Sequence, residues 1–192
     1  MLHARLHIVA VLSLLLSGCG GKPPAAPATL PATQASLLAP PQHVPAVRAT
    51  CRPPLGWAAE PLKKTNKSEH QVWISPTGDT AYGVLNVRHL LMALASNERI
   101  LSEFLDGMRA TEGAAELVEK QNDPAIAGGR GGIRFIARGG KYTVRANLTS
   151  AGRDAWIWYA GTLSGAPVRD DELRTAEIAR DQTVVGAAAA TP

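Results

Sequence analysis

The sequence predicts an α+β protein: one antiparallel sheet flanked by helices, preceded by a signal peptide and a disordered linker. Three observations carry this. Six short segments rich in β-branched and aromatic residues are bounded by Gly, Pro or Ser-Asp turns. Two other stretches repeat their apolar residues at the helical period instead. All nine aromatic residues lie between Trp57 and Tyr159, which assigns the core to the region from Cys51 to Gly186.

The leader comes first. His3, Arg5 and His7 precede the apolar run Ile8–Leu16, "IVAVLSLLL". Such a run rises only about 14 Å as a helix, against a hydrocarbon core of about 30 Å. It is too short to span and reads as the core of a secretory signal. Leu16-Ser17-Gly18-Cys19 resembles the bacterial lipobox, an aliphatic residue and two small ones before cysteine. The resemblance implies removal of residues 1–18 and attachment of lipid to Cys19, which becomes the mature N-terminus. An ordinary signal peptide with an incidental cysteine is the alternative. The lipobox reading places the protein on a membrane through its lipid, facing the periplasm or the cell exterior. Gly20 is compatible with outer-membrane sorting but does not decide between the two membranes.

Residues 19–50 read as a Pro/Ala-rich linker. Between Lys22 and Thr50 lie seven of the 14 prolines and eight alanines, with no acid, aromatic residue or glycine. That composition favours extended segments and supplies little to bury. "SLLA" (Ser36–Ala39) is read as an apolar interruption or a docking element.

The domain, residues 51–186, is read in order. "EHQVWIS" and "TAYGVLNVRH" are strands joined by a turn at Ser75–Asp79. Ala81, Gly83, Leu85 and Val87 share one face of the second strand, while Tyr82 and Val84 make the other apolar too. A strand apolar on both faces is covered on both. A helix from Asn97 to Arg109 aligns Ile100, Leu101, Phe104, Leu105 and Met108, with Ser96 or Asn97 as its cap. "AAELVEKQ" returns as a strand. A meander follows: "GGIRFIAR", a Gly139-Gly140 turn, "KYTVRANL", a turn at Ser150–Asp154, and "AWIWYAGTL". A last helix runs from Asp170 to Val185, its acidic start suited to the helix dipole and Gly186 ending it. Residues 187–192 are a tail.

Charge and cysteine usage exclude several functions. From Cys51 onward there are 17 basic and 16 acidic residues. That near balance lacks the concentrated basic footprint of a nucleic-acid binder. Cys19 and Cys51 are the only cysteines; with a lipid on Cys19, Cys51 has no intramolecular partner and a disulfide framework is excluded. His43, His70 and His89 have no metal-ligand spacing, and no cofactor motif stands out. The run from Gly128 to Gly132 leads into a strand, whereas a phosphate loop leads into a helix. Ser68, His70 and Asp79 include the residue types of a triad but lack a nucleophile-elbow context. Glu112–Glu119 reads as a solvated face. No catalytic residue is assigned.

One charged constellation does stand out. The Gly139-Gly140 turn sets Arg138 opposite Lys141 and Arg134 opposite Arg145, with Phe135 opposite Val144. Like charges directly opposed destabilise a sheet. Neighbouring acids, solvent or an anionic partner offsets them, so Arg134, Arg138, Lys141 and Arg145 are the candidate partner-binding residues. Two further questions depend on register. Trp156 and Trp158 share one face, either as core or with Trp158 opposite Arg145 as a cation–π platform. Arg180, inside the apolar arc of the last helix, snorkels, meets an acid or marks a buried site.

"GWAAEPL", "HQVWISPTGDTAYGV" and "YAGTL", in that order, resemble the PsbP-like fold, an α/β/α sandwich. This fold occurs in photosystem extrinsic subunits, in a Ran-binding import factor and in several bacterial lipoproteins. The resemblance covers residues 51–186 and is greatest to a group of bacterial lipoproteins. It implies a non-enzymatic protein-binding or envelope-assembly role with an envelope protein as partner, by fold analogy. The alternative is a small-ligand binder or hydrolase using a cleft between sheet and helix.

Overall fold

The computed structural model describes residues 31–88, 95–126, 131–163 and 169–186. The signal peptide, Cys19, His89, the glycine-rich run at 128–130 and the tail lie outside the described residues.

The architecture is an antiparallel sheet covered on both faces. Eleven strands and three helices are present among the described residues. The main sheet has the order β3 (Ala58–Ala59), β5 (Ser68–Ile74), β6 (Thr80–Arg88), β10 (Asp154–Leu163), β9 (Tyr142–Ala151), β8 (Gly132–Gly139), β7 (Ala115–Asp123). Strand β4 (Lys63–Lys64) also pairs with β5. Helix α2 (Asn97–Glu112) covers one face with Ile100, Leu101 and Leu105, packing on Ile133, Phe135 and Leu148. Its start is fixed by Ser96, whose side chain accepts a hydrogen bond from the Arg99 N–H at 3.3 Å. Gly113 ends it in the left-handed conformation at φ 75°.

Helix α3 (Asp170–Asp181) covers the other face, burying Leu173, Ala176 and Ala179 against Tyr82, Val84, Trp156 and Trp158. The two-sided coverage expected for β6 is met: Tyr82 and Val84 belong to the α3 core, and Leu85 packs on the α2 core.

Three expectations are corrected. Residues 31–50 are not spacer. They form α1 (Ala32–Ala35), β1 (Gln42–Val44) and most of β2 (Ala49–Cys51), and they bury Leu38, Val47 and Ala49 in the α3-side core. The long-range contacts explain how a proline-rich segment becomes ordered. Trp156 donates its indole N–H to the Val47 carbonyl at 3.0 Å, and Arg48 meets Asp154 at 2.6 Å.

The last helix stops at Asp181 rather than Val185. Val184–Val185 form β11, antiparallel to β2, so a small sheet β1-β2-β11 joins the two ends of the domain. A strand suits two β-branched residues, and Thr183 is fixed at the junction by Tyr82 Oη at 2.5 Å. Gly186, at φ 64°, follows a strand and donates its N–H to the Arg48 carbonyl.

The β8–β9 register is displaced by one residue on each strand. Arg138 faces Thr143, Arg134 faces Asn147 and Phe135 faces Ala146, because the turn is Gly140-Lys141 and Gly139 stays in β8. The end of α2 sets this. A Cβ on Gly139 would lie 3.1 Å from Met108 Cε, and one on Gly140 would lie 2.5 Å from the Glu112 carbonyl oxygen. The glycine pair therefore admits the helix end as well as turning the chain. Faces are preserved, but no two basic residues are directly opposed in the recorded pairing.

Candidate functional site: a cleft between helix α2 and the sheet

Helix α2 lies over β7, β8 and β9. On the same sheet face, β6 and β10 present the small residues Ala81 and Gly161. The missing side-chain volume leaves a cleft of about 580 Å³ beside the helix. Its walls are apolar: Val72 and Ile74 from β5, Leu85 from β6, Val144 from β9, and Phe104 and Met108 from α2.

A polar pair is set into this surface. Gly83 allows the Tyr159 ring to lie flat on the strand, since a Cβ there would fall 2.5 Å from Tyr159 Cζ. The phenol oxygen then lies 2.9 Å from His70 Nε2. Burial, and secondarily the Lys63 charge, lower the His70 pKa to about 4. Burial, with Tyr142 nearby, pushes the Tyr159 hydroxyl well above its ordinary range. Both groups are therefore neutral at physiological pH. They can orient a neutral polar group of a ligand by hydrogen bonding.

The mouth is charged. Glu60, Lys63, Asp79 and Glu112 line it. The stretch Glu116–Glu119 is exposed as the sequence predicts, but Glu112 is half-buried: its Oε2 is shielded from solvent and has no hydrogen-bond partner. The triad residue types are not assembled. His70 engages Tyr159, and Ser68 engages Thr65 Oγ1 at 2.9 Å. Among the described residues no group of three or more His, Cys, Asp or Glu is placed to hold a metal.

The candidate basic residues lie elsewhere. Arg134 and Arg138 project from β8 and Arg145 from β9, on the face opposite the cleft, and Lys141 is exposed in their turn. Each arginine has an acid: Arg134 with Asp123 at 2.5 Å, Arg138 with Glu116 at 3.9 Å, and Arg145 with Glu177 at 2.7 Å. Arg145 also borders a notch of about 190 Å³ with Arg134, Arg180 and Asn147. The Arg180 side chain is 13% exposed, bonds Asp181 at 2.8 Å and reaches the Arg145 carbonyl at 3.3 Å. Trp156 and Trp158 are core, facing Thr149 and Asn147 across β9, so the platform with Arg145 does not form. Cys51 is wholly buried, its thiol pushed up to about 11 by desolvation despite an opposing hydrogen bond with Tyr82.

The cleft is only partly legible in the sequence. Ala81 and Gly83 share one face as the alternation predicts, but the space over Ala81 opens only beside Gly161 of β10, a pairing between distant segments.

The arrangement is that of a PsbP-like α/β/α sandwich with an open cleft on one face. The solution structure of cyanobacterial PsbP (CyanoP) from Synechocystis superposes with a TM-score of 0.57 at 14% identity, covering 88% of this chain and 98% of that one. A crystal structure from Bacteroides thetaiotaomicron aligns with a TM-score of 0.37 at 11% identity, over 77% of this chain and 48% of the other. No protein-family model matches the sequence, and no curated protein does.

Proposed function

We propose that the protein is a lipid-anchored envelope protein whose domain is a non-enzymatic binding module, and that its ligand occupies the cleft beside α2. The observation that carries this is an apolar cleft of about 580 Å³ with a neutral His70–Tyr159 pair in its wall. Apolar walls with few placed polar groups are the usual composition of a small-molecule site. A hydrolase is less well supported, because His70 is bonded to a phenol and, among the described residues, neither serine nor cysteine lines the cleft. The arginine row supports an anionic protein partner less than expected, since acids of the same chain accompany Arg134, Arg138 and Arg145.

Binding of the neutral fluorophore N-phenyl-1-naphthylamine tests the cleft. Wild-type protein is expected to enhance and saturate its emission. Ala81→Trp, which fills the space between Ile74 and Gly161, is expected to weaken binding by about tenfold or more. Equal binding by a folded Ala81→Trp protein would remove the cleft from the reading.

The anchor is tested separately. Two or three acyl chains hold a protein firmly, at about 0.8 kcal/mol per buried CH₂. Cys19→Ser is expected to shift the protein wholly to the soluble fraction and abolish labelling by a clickable palmitate. Retention of membrane association with unchanged labelling would refute attachment at Cys19.

A further inference from the structure

The charge around the cleft indicates which apolar molecules it takes. Among the described residues three carboxylates, Glu60, Asp79 and Glu112, line it against one cation, Lys63. Among the described residues none of the three carboxylates has an ion-pair partner. Glu112 is the most demanding. It occupies the last turn of α2, where unpaired carbonyls already place about half a negative charge. A basic residue is the favourable choice there. Arg109 supplies one, but its guanidinium is engaged by Asp106 at 2.5 Å. Glu112 Oε2 is also shielded from water and unpartnered, an unfavourable state for a carboxylate oxygen.

An arriving cation would offset the negative charge gathered at the helix end. Along α2, Met108 and Phe104 precede Glu112 by four and eight residues, on the same side of the helix. At about 1.5 Å per residue, the apolar strip extends about 12 Å from the carboxylate. That geometry suits a molecule with a charged end and a linear apolar body.

Resting on the cleft reading above, we propose that the ligand is an amphiphilic amine, its ammonium group against Glu112 and its apolar body along Met108 and Phe104. The ammonium sits in the negative field of the Glu112 carboxylate and of the helix end, while the hydrocarbon displaces water from the wall.

Calorimetric titration of the purified full chain with n-octylammonium, 1-octanol and octanoate, each below its aggregation limit, decides the matter. The amine is expected to bind about tenfold or more tighter than the alcohol, and octanoate more weakly than either. Glu112→Gln is expected to erase the preference for the amine while leaving octanol affinity within about twofold. Equal affinity of wild-type protein for amine and alcohol would overturn the cation proposal and leave the cleft reading intact. Binding of none of the three would overturn both. A preference that survives in Glu112→Gln would overturn the assignment to Glu112.

Discussion

A chain shortened to begin at Cys51 is expected to lose cooperative folding, although composition places the domain boundary there. Shortening removes Leu38, Val47 and Ala49, which are 5%, 0% and 1% exposed. Burial of each large apolar side chain contributes about 1.5–3 kcal/mol. The indole N–H of buried Trp156 loses its acceptor on Val47, at a cost of about 1–3 kcal/mol. Strand β11 loses its pairing, and Asp154 loses Arg48 while one of its oxygens is already buried without a partner. The sum, about 5 kcal/mol or more, rivals the whole stability of an ordinary domain. Urea unfolding followed by tryptophan fluorescence checks this. A chain beginning at Pro31 is expected to unfold with the same midpoint as the full chain. An unchanged midpoint for the chain beginning at Cys51 would show that the N-terminal segment adds nothing to the core.

The second large effect is a loss of stability in mild acid centred on His70. Its folded pKa of about 4 lies below the ordinary 6.5, so the unfolded chain binds the proton more readily. Stability is thus fully present above pH 6.5, falls as pH drops toward 4, and does not fall further on this account below that. At about 1.4 kcal/mol per pH unit, the loss approaches about 3 kcal/mol. His70→Gln keeps a hydrogen-bonding group near Tyr159 but does not titrate. Denaturant midpoints measured at pH 7 and pH 4 are expected to differ less in this variant than in wild type by that amount. Parallel pH dependence in the two proteins would mean that His70 takes up its proton without strain. The same measurement bears on the cleft, because protonating His70 would place a cation in an apolar wall and alter the polarity offered to a ligand.

The site shows where reading along the chain stops. Ser68, His70 and Asp79 are the residue types of a triad, yet the partner of His70 is Tyr159, 89 residues away on β10. Pairing of β5 with β6 and of β6 with β10 brings them together, and no local pattern specifies that adjacency. Glu112 looked solvated because helix ends near charged strands usually are. Its shielding depends on Gly139 and Gly140 admitting the end of α2 against the β8–β9 turn.

Alternation and helical period alone sufficed to establish the α+β class, the central strands, the α2 stripe and the two-sided burial of β6, because each is encoded by residues a few positions apart. Three matters were left to tertiary structure. The β8–β9 register followed the packing of α2 on a glycine pair rather than the turn alone. Val184–Val185 became a strand because the edge of β2 was available to pair. Residues 31–50 left the spacer because Trp156, Asp154 and an uncovered apolar face supplied contacts that the segment's own composition does not contain. Composition measures what a segment can bury by itself; the folded domain decides what it is given to bury against.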